Sequence, residues 1–149
     1  MNLRDLLSNG SVEEFSSSDP SQIKNETNIA INDVSSAKKM LGIGEWGWAH
    51  NAAYNAMLQS GRALMFAKGY RPKGQGHHFA VVSFMHAVYS SKIPQDALRA
   101  FDKARFRRNE SLYDRAGTIS ESQARNLVDK ADIFVTSACK ILKNPRSNR

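Results

Sequence analysis

Six small side chains constrain the fold of this chain more tightly than anything else in it. Ala49, Ala53, Ala56, Ser60, Ala63 and Ala67 follow one another at steps of 4, 3, 4, 3 and 4. Such steps run down one face of an α-helix; a strand, whose side chains alternate, would scatter them over both faces. Small side chains let a neighbouring helix approach to the short end of the ~8–10 Å range of helix packing. Trp48, Tyr54, Met57, Leu58, Leu64, Met65 and Phe66 occupy the other faces of this segment, which runs from about Glu45 to Lys68 and is capped by Gly69. A helix apolar on most sides is central to a bundle, or also faces a second chain. Here we expect both.

Four more helices are expected around it. Asp19-Pro20 pairs an N-cap acceptor with a proline suited to the first helical turn. Ile23, Thr27, Ala30, Val34, Ala37 and Leu41 then share one face, and Gly42 and Gly44 end the helix. Gly69 to Gly76 reads as a basic loop with three glycines. No strand is expected before it and its spacing differs from a phosphate-cradling loop. A third helix is expected from about His77 to Ser90. A fourth opens at Ile93-Pro94 and carries Ala97, Phe101, Ala104, Arg108 and Leu112 on one face. A fifth begins at Ser120 with Gln123 in a capping-box spacing, and its core row is Ala124, Leu127, Ala131, Phe134, Ala138 and Ile141. The expected class is therefore all-α, an antiparallel up-and-down bundle of four to five helices, with short loops between neighbours. Residues 1–18 are expected as an appendage, a short helix around Leu3, Leu6 and Leu7 or a mobile segment. Residues 19–142 form the bundle and 143–149 a basic flexible tail.

A length of 149 residues suits one domain with a real core. The lone Cys139 excludes an internal disulfide framework and a cysteine-rich zinc site. Adjacent His77 and His78 point ~100° apart on a helix, and His78 and His86 lie two turns apart, whereas zinc ligands on a helix stand at i and i+4. Neither a metal nor a cofactor is expected. There is no 18-residue apolar run and no long apolar core near Met1, so the expectation is a cytoplasmic protein with no membrane contact. The net charge of +7 allows an anionic partner without naming one.

The densest chemistry lies between Ala104 and Asp114. Arg105, Arg107 and Arg108 fall within four residues, with Asn109, Tyr113 and Asp114 after them. Guanidinium forks fit phosphate oxygens, and Asn and Tyr both donate and accept. The plain alternative is a solvated helix end whose arginines pair with Asp102, Glu110 and Asp114. Arg108 continues the inward row of Ala97, Phe101 and Ala104, and an inward arginine needs partners.

Four short motifs in order give this chain a family resemblance. Ala53-Tyr54-Asn55-Ala56, Gly69 to Pro72, Gly76-His77-His78, and Arg107-Arg108-Asn109 followed by Tyr113-Asp114 and on to Gly117 resemble one branch of the HEPN-domain family. These are small helical proteins of prokaryotic toxin–antitoxin and defence modules, often paired with minimal nucleotidyltransferases. The resemblance covers about residues 20–142. It implies a bundle that pairs as a two-fold homodimer. In active members an Arg and a His four to six residues later form a metal-independent RNA-cleaving site at the dimer cleft.

The Arg of that motif matches Arg108 and its polar follower matches Asn109. Tyr113 stands where the His belongs. A neutral His takes a 2′-hydroxyl proton near pH 7, which a Tyr of pKa ~10 does poorly. His77 or His78 could supply the imidazole from another helix if folding brings it near Arg108, and His78 is taken as the catalytic candidate. Arg108 and Tyr113 are five residues apart, ~140° net around a helix. Either the helix ends between them or two copies share the pocket.

Three functions remain open on this reading. The first is a dimeric module binding RNA or a nucleotide in a basic cleft between protomers, with a cognate nucleotidyltransferase as partner. The second is an endoribonuclease using Arg108, Asn109, Tyr113 and His78. The third is a helical interaction protein without a working site. Arg105, Arg107, Asp114, Arg71 and His77 are the expected binding residues. The resemblance also suggests Tyr113 as an acceptor of a nucleotidyl group from the partner.

Overall fold

The structure is a computed structural model that describes residues 1–15, 19–74, 77–113 and 119–144, with the side chains of 108–113 outside the description. Six helices and two short strands occur among these residues: α1 (Leu3–Ser8), β1 (Val12–Glu14), α2 (Pro20–Gly42), α3 (Trp46–Lys68), β2 (Tyr70–Pro72), α4 (His77–Tyr89), α5 (Gln95–Tyr113) and α6 (Glu121–Lys143). The class is all-α, a helical bundle, as the periodicity requires.

The helix starts follow their local chemistry. Asp19 accepts a hydrogen bond from the Ser21 amide at 2.9 Å, with Pro20 in the first turn of α2. Ser120 and Gln123 close a reciprocal capping box at α6, at 3.1 and 3.0 Å. Gly69 ends α3 in a left-handed conformation with φ of 87°, which a side chain would strain.

α2 and α3 form an antiparallel hairpin about Gly44. Asn55 donates to Asp33 at 2.6 Å, and further from the turn Arg62 lies near enough to Glu26 to influence its charge. α6 packs on both helices, with Lys38 of α2 paired to Asp132 at 2.8 Å. The small-residue row does what its spacing demands: Ala49, Ala53, Ala56, Ser60 and Ala63 are all buried. The centre is a relay of rings across three helices. Tyr54 of α3 meets Phe101 of α5 with centroids 5.7 Å apart, and Phe101 meets Phe134 of α6 edge-on at 5.2 Å. Each such buried ring stabilises the fold by roughly 1.5–3 kcal/mol.

Two features depart from the sequence expectation. The connection after α3, read as a loop, contains β2, which pairs antiparallel with β1 so that Val12, Glu13 and Glu14 face Pro72, Arg71 and Tyr70. Strands of three residues are too short to leave a period in the sequence. This ribbon ties the N-terminal residues to the bundle, and Leu6 and Val12 join the buried core. The second departure concerns direction. Contacts between α3 and α4 advance together along both helices: Tyr54 with His78, Gly61 with Val81, Lys68 with Tyr89. The ribbon-forming connection is long enough to carry the chain back, so α4 runs in the same sense as α3.

Candidate nucleic-acid interface

The site is built where the first turn of α4 and the latter half of α5 meet α3. On α3, His50, Tyr54, Met57, Gly61 and Leu64 form a second helical row, and every member is buried. His50 is fully buried, and neither ring nitrogen has a hydrogen-bond partner among the described residues. Burial, aided by the charge of Arg107, pushes its pKa down to about 4. The imidazole is therefore neutral at physiological pH, and Arg107 of α5 lies near enough to influence its charge.

One turn further along α3, the Tyr54 hydroxyl lies 2.9 Å from Nδ1 of His78. The rings themselves are 5.6 Å apart. This contact fixes the start of α4 and presents the next residue, Phe79, at the surface. The Arg105 guanidinium stands over Phe79 at 5.5 Å and over Phe106 at 4.3 Å from the ring centroids. Phe79 and Phe106 are 37% and 55% exposed, so both rings present part of their faces to solvent. Arg105 Nε is buried without a hydrogen-bond partner among the described residues, and the guanidinium makes cation–π contacts instead.

The structure thus groups some expected residues and separates others. Arg105 stands over Phe79, the residue after His78, and Arg107 lies near enough to His50 to influence its charge. Arg71 and His77 line a different pocket together with Arg62. Arg108, Asn109 and Tyr113 lie on α5, which stays helical through Tyr113, so the helix does not end between Arg108 and Tyr113. The side chains of those three residues, and the whole of Asp114, lie outside the described residues.

Sequence reasoning missed His50, although the row that holds it also steps by 4, 3, 4 and 3. The small residues of the alanine row beside it signal close packing, whereas a lone polar residue among apolar ones carries no such signal. Phe79 and Phe106 carry no sequence signal for exposure, since an exposed phenylalanine and a core one look alike in a helical pattern.

A model of the HEPN domain matches residues 25–142, from the early turns of α2 to the end of α6. The chain belongs to the HEPN domain family. The fold of a solved structure agrees. The crystal structure of TT1696 from Thermus thermophilus superposes with a TM-score of 0.62 at 20% identity, covering 80% of this chain and 97% of that one. At that identity the likeness concerns the fold alone. No curated protein matches this chain. In this HEPN domain α2 to α6 all contribute to the core, and α4 and α5 also supply the surface that carries Arg105. Among the described residues no helix is long and apolar enough to cross a membrane.

Proposed function

We propose that this HEPN protein binds single-stranded RNA along the part of α5 that carries Arg105 and Arg107, in a basic cleft completed by a second copy of the chain. The supporting observation is the Arg105 guanidinium held over the exposed rings of Phe79 and Phe106. Unpaired bases stack on aromatic faces and guanidinium planes, each worth ~1–3 kcal/mol. The permanent charges of Arg105 and Arg107 attract the phosphate backbone. A duplex hides its base faces, so this surface favours unpaired strands. Family membership and the charge of +7 point the same way. In this proposal the protein works beside a cognate minimal nucleotidyltransferase, as part of a toxin–antitoxin or related paired module.

The test is binding of a fluorescently labelled, unstructured RNA to the full chain across a series of salt concentrations. Affinity that falls steeply with salt, together with weaker binding to the same sequence as a duplex, supports the proposal. No binding at low salt overturns it.

One observation favours a second reading, a metal-independent endoribonuclease. The Tyr54–His78 contact brings an imidazole to the residue beside Phe79. His78, in that reading, takes the 2′-hydroxyl proton that Tyr113 accepts poorly. Cleavage of RNA in the presence of a chelator, leaving 2′,3′-cyclic phosphate ends and lost in His78→Ala, would establish it. Intact RNA after long incubation would exclude it.

A further inference from the structure

α2 and α6 both pack on α3, and an open groove is left between them. Ile31 of α2 stands 48% exposed within it. A cavity of about 480 Å³ opens to one side of Ile31, between Ile23 and Thr27 of α2 and Leu142 of α6. A second, of about 520 Å³, opens to the other side, between Val34 of α2 and Val135 of α6. Ile31, Cys139 and Lys143 line both, so the two cavities form one groove. Ala67, the last of the small-residue row on α3, lines one end. From Ile23 to Lys38 the groove runs ~22 Å along α2, about four helical turns.

Its walls are apolar and its rims are basic. Lys24 and Lys38 stand exposed along α2, Lys140 and Lys143 along α6. Among the described residues that line the groove Asp132 is the one acid, and Lys38 already holds it at 2.8 Å. No other acid is left there for Lys24, Lys140 or Lys143. A contiguous apolar strip rimmed by polar side chains is the kind of surface that a partner covers.

We infer that this groove docks an amphipathic α-helix of a partner protein, with apolar residues at i and i+7 seated in the two cavities and acidic residues along its edges meeting the lysine rims. The spacing follows from the groove. Thr27 lines one cavity and Val34 the other, ~10 Å apart along α2, which is two turns of an incoming helix. The charge selects the occupant. A second copy of the same groove would bring lysine rims together, and like charges so juxtaposed oppose pairing. Residues 145–149 carry Arg146 and Arg149 and no acidic side chain, so they do not supply the missing charge. No aromatic ring lines the groove among the described residues, so it offers no base-stacking face of the kind at Arg105.

The probe is a fluorescein-labelled helical peptide of about 18 residues, with leucines at i, i+4, i+7 and i+11 and glutamates on the flanks of that face. A companion peptide carries lysine for each glutamate. Fluorescence anisotropy with the full chain reads both. The acidic peptide binds about tenfold or more tightly than its companion, and the gap narrows as salt rises. Ile31→Glu, at an exposed position, weakens the acidic peptide by about tenfold or more. Lys24→Glu combined with Lys140→Glu reverses the preference between the two peptides. Bound acidic peptide slows alkylation of Cys139, which lines both cavities. No binding of the acidic peptide at millimolar concentration, equal affinity for the two peptides, or unchanged Cys139 alkylation would overturn the assignment. So would an Ile31→Glu protein, shown by thermal unfolding to be folded, that binds like the wild type. A smaller oligomer in Ile31→Glu, measured by analytical ultracentrifugation, would give the groove to a second copy instead. RNA binding weakened in the double lysine variant as much as in Arg105→Ala would give it to RNA, and either result overturns the proposal.

Discussion

The Tyr54 hydroxyl and Nδ1 of His78, 2.9 Å apart, join the middle of the central helix to the first turn of α4. Tyr54 is fully buried, so this contact lies away from bulk water. Tyr54→Phe is expected to lower stability by about 1 kcal/mol, the net worth of one hydrogen bond. Because His78 precedes Phe79, the same change should weaken RNA binding modestly. Chemical denaturation of the two proteins side by side checks the first effect; equal midpoints and slopes would show that the contact does not hold α4 in place.

His50 makes stability depend on pH. Its folded pKa of about 4 lies below the ordinary value of 6.5. Between those values the unfolded chain binds a proton that the folded chain refuses. The contribution is thus fully present above about pH 6.5 and is lost as pH falls toward 4. The full loss is about 3 kcal/mol at 1.36 kcal/mol per pKa unit. His50→Leu, of similar size and apolar, should flatten that slope without harming stability at neutral pH, since it replaces two unpartnered nitrogens. Urea denaturation from pH 7 to 4 reads both; an unchanged slope in the variant would mean that His50 is not the group responsible.

At Gly61, α3 and α4 pack closely. A Cβ there would stand 2.6 Å from Cγ1 of Val81 and 3.6 Å from the Met85 side chain. Alanine gains ~1 kcal/mol of helix propensity over glycine, whereas forced overpacking of a core costs ~1–3 kcal/mol. The clash should win, so Gly61→Ala is expected to destabilise by about 1 kcal/mol, measured as a lower unfolding midpoint. Gly61→Ala paired with Val81→Ala should recover part of the loss, because the second change removes the atom in the way. A more stable single variant would mean that the helices separate at little cost.

The long helices could be read from the sequence because each buries a row of residues at helical spacing, and α2 and α6 also start with capping chemistry that acts locally. Asp19-Pro20 and Ser120 to Gln123 needed no tertiary information. The β1–β2 ribbon could not be read, since Val12–Glu14 and Tyr70–Pro72 are short and distant in sequence, and pairing alone defines them. The shared direction of α3 and α4 is likewise a tertiary result, set by how far the connection through β2 reaches. At the site, the concentration of arginine at 105–108 was visible. Its neighbours were not: His50 is isolated in an apolar row, and the exposure of Phe79 and Phe106 depends on how α4 lies against α5. Arg71 and His77, grouped with the α5 arginines by charge alone, belong to a different pocket because β2 carries them to the side of α2.

The central claim is that the Arg105 surface holds unpaired RNA, and the most direct measurement is the affinity of a labelled single-stranded RNA for the wild type, Phe106→Ala and Arg105→Ala across salt. Loss of one stacking face should weaken binding by about tenfold and leave the salt slope unchanged in Phe106→Ala. Loss of one phosphate-directed charge should weaken binding and reduce the log–log salt slope by about one in Arg105→Ala. Folded variants that bind RNA with wild-type affinity and wild-type salt slope would contradict the account.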